Sequence, residues 1–368
     1  MPGGPPQLRI PGPTPVPERV VHSACRPMIN PHGPEFGELL GDCVEGVRWA
    51  LETESDILVF PASGTGGLEA TVANLLSPGE RALFCTTGWF GELWASIARA
   101  FGADVVCLRA PWGEPTDLVE LERALDADPA VSKVFVTHHE TSTGVLDDVA
   151  AIAALVKARG CLLTVDSVSG APCHPLPVDE LGIDVVVTAC QKGWLAPPGL
   201  TMIAVTDAAM RVAAESVCPS WYFDFLRQRE ALENRRMLTT PPVSVMYAVQ
   251  EGLAMLREEG REAIWLRHVR LSRMLRDGLH AVGLSELAQP KCASSTVTVV
   301  RSPYSSLEGL EALLRDLRVN HGLVVADALG RLEGRAFRIG HLGAISERDV
   351  RDILAALEHA LCIPAAAA

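Results

Sequence analysis

From Asp56 to Val205 the chain alternates short apolar runs with longer stretches in which apolar residues recur every three or four positions. Runs apolar on both faces fit strands covered on both sides, and the longer stretches fit amphipathic helices. The pattern predicts strands over Ile57–Phe60, Arg81–Cys85, Asp104–Leu108, Lys133–His138, Cys161–Asp166, Asp184–Ala189 and Thr201–Val205. Helices are predicted between several of them, over Gly67–Leu76, Gly91–Phe101, Leu118–Ala127 and Asp148–Arg159. This is the α/β signature of a mainly parallel seven-stranded sheet between helices. In such sheets ligands bind beyond the carboxyl ends of the strands, so the loops that follow strands are where chemistry is expected.

After Val205 the texture changes. Helices are predicted over Asp207–Ser216, Ser244–Glu259, Arg261–Ala281, Ser306–Arg318 and Ser346–Leu361, with strands over Ser295–Arg301 and Arg335–Gly340. An aromatic and charged segment, Trp221–Glu233, and the break Thr239-Thr-Pro-Pro242 stand between the two regimes. The expected organisation is an N-terminal arm (1–20), a large domain (21–243) and a smaller C-terminal α+β domain (244–368).

Composition narrows the function classes. A chain of 368 residues, 48% apolar, is long enough for about two domains with substantial cores. Its net charge of −13 argues against nucleic acid or an anionic membrane as partner, since both select clustered Lys and Arg. The proline-rich start has no apolar core of a secretory signal, and no run approaches the ~18 apolar residues of a spanning helix. The ten cysteines are scattered, with no Cys-x-x-Cys pair, so no metal site is expected and a reducing cytoplasm is the simplest compartment.

Three local features carry candidate chemistry. Ser63-Gly64-Thr65-Gly66-Gly67 joins a strand to a helix, where backbone N–H groups and the helix's positive end favour an anion. It is neither a Walker A loop nor a dinucleotide fingerprint, and ordinary helix capping by Ser63 accounts for it equally. Asp166 ends an apolar strand, where a carboxylate needs a metal, a helix N-terminus or a protonated heteroaromatic nitrogen; capping is the competing reading. Asp184, at the opposite end of its strand, is read as structural. Lys192 stands just past the next strand, in Gln191-Lys192-Gly-Trp194-Leu-Ala-Pro197-Pro-Gly199. Desolvation there would lower its pKa and expose a neutral amine.

Jointly, and in this order on successive loops, these are what pyridoxal phosphate requires. The phosphate needs a helix N-terminus, the pyridine nitrogen an anion, and the aldehyde a lysine. At this point the chain resembles the class V aminotransferases of fold type I, in the alanine–glyoxylate / serine–pyruvate aminotransferase family. The resemblance is carried by Pro11-Gly12-Pro-Thr14, Ser63-Gly-Thr-Gly66, Gly88-Trp-Phe-Gly91, Glu140-Thr-Ser-Thr-Gly-Val145, Val165-Asp-Ser167, Gln191-Lys192 with Pro197-Pro-Gly-Leu200, Thr240-Pro-Pro242 and Phe337-Arg-Ile-Gly340.

The resemblance implies a Schiff base on Lys192, which also moves the proton between the substrate and cofactor carbons, and Asp166 paired with the pyridine nitrogen. Ser63, Gly64, Thr65 and Gln191 would hold the phosphate, Phe90 would stack on the ring, and Thr141 and Val168 would line it. Arg338 would grip the substrate carboxylate, with Gly12 in the substrate-binding set. Thr240 would reach the phosphate of a neighbouring subunit, which implies a homodimer with shared active sites. The implied reaction moves an amino group from alanine or serine to glyoxylate or pyruvate; the alternative is a lyase, desulfurase or decarboxylase on a small amino acid.

Three positions depart from the family pattern. Met237 stands where many relatives carry a tyrosine that donates to the partner's phosphate, Trp194 replaces a smaller aliphatic, and Asn30-Pro31-His32 replaces Ser-His-Arg. Each is a candidate modifier of specificity. His138 and His139 are expected to pack behind the site, and Cys190 to be a thiol at a strand end.

Overall fold

The computed structural model describes residues 6–362. Seven strands form the central sheet: β1 (Asp56–Phe60), β2 (Arg81–Thr86), β3 (Asp104–Arg109), β4 (Lys133–Thr137), β5 (Leu162–Asp166), β6 (Val185–Ala189) and β7 (Thr201–Val205). Their spatial order is β1-β7-β6-β5-β4-β2-β3. Neighbours pair in parallel, save β7, which runs antiparallel to both β1 and β6. This is the mainly parallel seven-stranded sheet between helices that the sequence pattern predicts. Each predicted strand is present to within a residue or so at its ends.

Period-two alternation divides the strands between two cores. Ile57 and Val59 of β1 face one side with Val134 and Val136 of β4, while Leu58, Phe60 and Phe135 face the other. On that second side Phe84 and Phe135 stack at 4.4 Å between centroids, and Trp94 meets both rings edge-on. Helices cover both faces, so these strands read as continuous apolar runs in the sequence. The first core is roofed by α1 (Pro34–Leu51), a helix for which no prediction was made, and the second by α2 (Gly64–Leu75) and α3 (Trp89–Ala100).

The C-terminal part builds its own core on the strands Val297–Arg301, Ala336–Gly340 and Ala326–Asp327. The long helix α4 (Val243–Glu259), placed in the second domain by the sequence pattern, packs Met246, Val249, Leu253 and Leu256 into the large core. Helix α5 (Arg261–Ala281) bridges the two: Ile264 belongs to the large core, Leu271, Leu275 and Leu279 to the small one. The arm crosses between them as well. Gln7–Leu8 pairs in parallel with Leu323–Val324 of the small domain, and Arg9 pairs with Asp349. From there the chain turns back toward the sheet at Pro11.

Candidate active site

The strands β4, β5 and β6 and the loop before α2 end around one cavity. It is lined by Ser63, Gly64, Thr65, Leu68, Phe90, His139, Thr141, Asp166, Val168, Ser169, Gln191 and Lys192. Nine of these are expected cofactor residues, far apart in the chain and gathered by the topology.

The anion end is the start of α2. Ser63 is its N-cap in an extended conformation, and its hydroxyl accepts the Gly66 N–H at 3.5 Å. At that length the cap is weak, which leaves the first-turn N–H groups available to a ligand. Gln191 comes to the same cavity from beyond β6.

Asp166 ends β5 and is 5% exposed. Its Oδ1 accepts the Val168 N–H at 2.9 Å, and no ion pair reaches it among the described residues. Burial pushes its carboxyl up to about 7; the Val168 N–H opposes that rise, nearby Glu140 adds to it and Lys192 opposes it. A buried acid without a cation is the complement of a protonated ring nitrogen.

Lys192 is partly buried, its Nζ donating to the Pro11 carbonyl at 2.8 Å. Burial lowers its pKa to about 8, the Arg338 cation lowers it further and Asp166 works against both. The arm secures this loop. Thr14 donates its N–H to the Gln191 carbonyl at 3.1 Å and its hydroxyl to the Lys192 carbonyl at 3.0 Å. Gly12 lies flat on the lysine: a Cβ there would stand 2.6 Å from Nζ, and its φ of +141° disfavours any other residue.

Phe90 is fixed by an acid whose role the sequence did not disclose. Glu140 is fully buried, and its Oε2 accepts the N–H groups of Phe90 and Gly91 at 2.9 and 3.1 Å. Its Oε1 accepts from the Ser142 N–H and hydroxyl at 3.0 and 2.7 Å. Burial raises its pKa and these bonds pull the other way. A carboxylate thus caps the positive end of α3 from another element and sets where Phe90 stands.

Other expected residues fall outside the lining. Arg338 is partly buried and close enough to Lys192 to act on its charge: its Nε donates to the Asp327 carbonyl at 2.7 Å, and its terminal nitrogens have no ion pair among the described residues. Burial lowers its pKa. Thr240 is exposed and away from the cavity of its own subunit. Met237 is buried in the large core, so it offers nothing to a neighbour's ligand. Trp194 is also a core residue, its Nε1 donating to Thr188 Oγ1 at 2.6 Å, and Asn30-Pro31-His32 forms an exposed turn. None of these three departures reaches the cavity. Cys190 is a buried strand-end thiol, as expected.

One expectation is overturned. His138 does pack behind the site, its Nδ1 3.0 Å from Ser167 Oγ, but His139 lines the cavity itself. A signal for this exists in the chain. His139 stands two positions before Thr141, which is expected at the cofactor and lines the same cavity.

The class-V aminotransferase family model matches residues 20–331, most of the chain. The chain belongs to the class-V aminotransferases. Its curated relatives match it over most of its length. It is 33% identical to the serine–glyoxylate aminotransferase of Methylorubrum extorquens, over 96% of this chain and 90% of that one. A 37% identical relative from Anabaena cylindrica carries the name of a soluble hydrogenase 42 kDa subunit, with 95% and 92% of the two chains covered. The solved alanine–glyoxylate aminotransferase from Nostoc sp. superposes with a TM-score of 0.93 at 28% identity, over 98% of this chain and 96% of that one.

Proposed function

We propose that this class-V aminotransferase binds pyridoxal phosphate in the cavity below Pro11 and transfers an amino group from a small amino acid, alanine or serine, to glyoxylate or pyruvate. One observation carries this reading: an uncompensated buried acid and a desolvated lysine share a cavity with a helix N-terminus. The chemistry of these residues suits the cofactor. The first turn of α2, with Ser63 and Thr65, suits its phosphate, Asp166 its ring nitrogen, Phe90 and Val168 its faces and Lys192 its aldehyde. When bound, the cofactor supplies an electron sink for negative charge at the substrate's Cα.

The protein's own groups do the rest. Lys192, with a pKa near 8, is able both to take the proton from the substrate's Cα and to return it. Arg338 offers its unpaired fork to an α-carboxylate and orients the Cα–H bond. The Pro11–Thr14 segment covers the lysine and excludes water. Desulfurase chemistry requires a reactive cysteine over the substrate, and no cysteine lines the cavity.

Two further parts of the reading concern the whole protein. We infer a homodimer whose active sites are shared, because Thr240 is exposed and turned from its own cavity while the family resemblance sends it to a neighbour's phosphate. A reducing cytoplasm suits the free cysteines of the described residues. No helix of the described residues is long and apolar enough to cross a membrane.

The test is direct. Loaded protein is expected to absorb in the visible, and borohydride to fix the cofactor on the peptide holding Lys192. Adding L-alanine without an acceptor is expected to release pyruvate and leave the amine form of the cofactor on the protein. Ammonia release instead would favour a lyase, and a protein that neither colours nor labels would defeat the reading.

A further inference from the structure

Arg338 stands in the small domain, whereas Phe90 and Lys192 line a cavity of the large one. Its charge nevertheless bears on Lys192 and feels that of Glu140. The strand Ala326–Asp327 pairs beside it, and the Asp327 carbonyl accepts the Arg338 Nε at 2.7 Å. That bond sets the direction in which the guanidinium fork points. Asp327 is itself exposed, so its place depends on where the chain beyond it is fastened.

The fastening lies three residues on, against the large domain. Gly330 opens the short helical turn Gly330–Leu332, and its backbone is seated between two tryptophans. A Cβ at Gly330 would stand 3.0 Å from Trp89 Cδ1 and 3.1 Å from Trp112 Cη2, and its φ of +56° is left-handed. Contact and backbone both call for glycine. Arg331 closes over the outside of this seat. Its Cζ lies 5.4 Å from the centre of the Trp112 ring, and its Nη2 donates to Glu92 Oε1 of α3 at 3.0 Å. An ion pair this exposed holds little by itself; the ring beneath the cation adds to it.

The seat belongs to the same helix start that presents Phe90. Trp89 is the first residue of α3, its N–H donates to Ser142 Oγ at 2.8 Å, and its ring meets Phe90 edge-on at 4.9 Å between centroids. Direct contacts therefore run from Phe90 to Trp89 and on to Gly330, and the backbone carries them to Asp327 and Arg338.

We propose that the Gly330–Arg331 turn, seated between Trp89 and Trp112, fixes where Arg338 presents its fork to a substrate carboxylate. Trp112 and Arg331 are positioning residues: neither lines the cavity, and both act on the substrate through Arg338. The proposal rests on the reading of Arg338 given above.

The experiment separates the carboxylate end of a substrate from its amine end. Propionate carries the carboxylate alone and ethylamine the amine alone. Both are titrated onto cofactor-loaded protein and followed by ligand-observed NMR. W112A is expected to weaken propionate by about fivefold or more, a share of what hydrogen bonds to a charged group contribute, and to leave ethylamine unchanged. G330A, which lifts the turn from its seat, is expected to do the same. In an R338A background W112A is expected to change nothing further, because its effect passes through the arginine. Should W112A and G330A fail to fold, the exposed change R331A takes their place, with a loss of roughly twofold expected. A purely structural contact would weaken both probes together. That result, unchanged propionate binding, or a further loss in the R338A background overturns the proposal. R338A that binds propionate as wild type does would overturn the reading of Arg338 beneath it, a result distinct from those three.

Discussion

At the scale of single residues, the site stores electrostatic cost in the protein without its cofactor. Asp166 titrates near 7 because it is buried, whereas in the unfolded chain it returns to the ordinary range around 4. A carboxyl whose folded pKa is raised favours the folded state only while protonated. Its contribution is full below about pH 4 and is lost as pH rises through 7. Asparagine in its place does not ionise and escapes that loss. The apoprotein of D166N is therefore expected to melt a few degrees above wild type at pH 8, the gap closing toward pH 4, as thermal unfolding across pH would show. Cofactor affinity is expected to move oppositely, falling in D166N because the ring nitrogen loses its anion. A D166N apoprotein no more stable than wild type at pH 8 would mean that Asp166 has a cation the structure does not contain.

At the scale of elements, the cavity is made by strand ends that stop together. Thr137, the last residue of β4, is in register with Asp166 of β5, and Asp166 with Val187 of β6. The loops that follow therefore emerge side by side. Helix α3 is attached to this edge through Glu140, and the attachment needs a residue without a side chain at Gly88. The backbone there is extended, which any residue adopts; the constraint is contact. A Cβ at Gly88 would stand 2.5 Å from Glu140 Cγ and closer still to Ser142 Oγ. G88A is expected to cost about 1–3 kcal/mol in chemical denaturation, the range for overpacking a tight site. It is also expected to weaken cofactor binding, since Phe90 moves with the start of α3. Unchanged stability would show that Glu140 yields without loss.

At the scale of the whole molecule, the arm makes one site of two domains. It pairs with the small domain at Gln7–Leu8, donates the Arg9 guanidinium to Asp349, and then lies across Lys192 from Pro11 to Thr14. The lysine's depressed pKa is thus a property of the assembled chain, because part of the burial comes from a segment 181 residues away in sequence. Removing residues 1–14 is expected to return Lys192 from about 8 toward the ordinary lysine value of 10.5. The pH at which cofactor attachment is half-maximal, followed by absorbance, should rise accordingly. No shift would mean that the sheet edge alone desolvates the amine.

Much of this was legible in the chain. Strand positions followed from continuous apolar runs, because a strand covered on both faces leaves no polar alternation. The loop at Ser63, the acid at Asp166 and the lysine at Lys192 stood at the ends of those runs, and the connection rules of parallel sheets bring such ends together. Helix α1 escaped, since its mixed face does not stand out without the sheet that it covers. The task of Glu140 and the place of His139 in the cavity escaped too: which way a buried polar side chain turns depends on partners dozens or hundreds of residues away. For the same reason Trp194 and Met237, conspicuous as departures in the sequence, proved to be core residues remote from the chemistry. The sequence by itself determined the fold, the family and the identity of the lysine and its acid, because these rest on local pattern and spacing. Only the tertiary structure decided their electrostatics, the covering of the lysine and the seating of the turn beside Arg338, because burial and hydrogen-bond satisfaction exist only once distant segments meet.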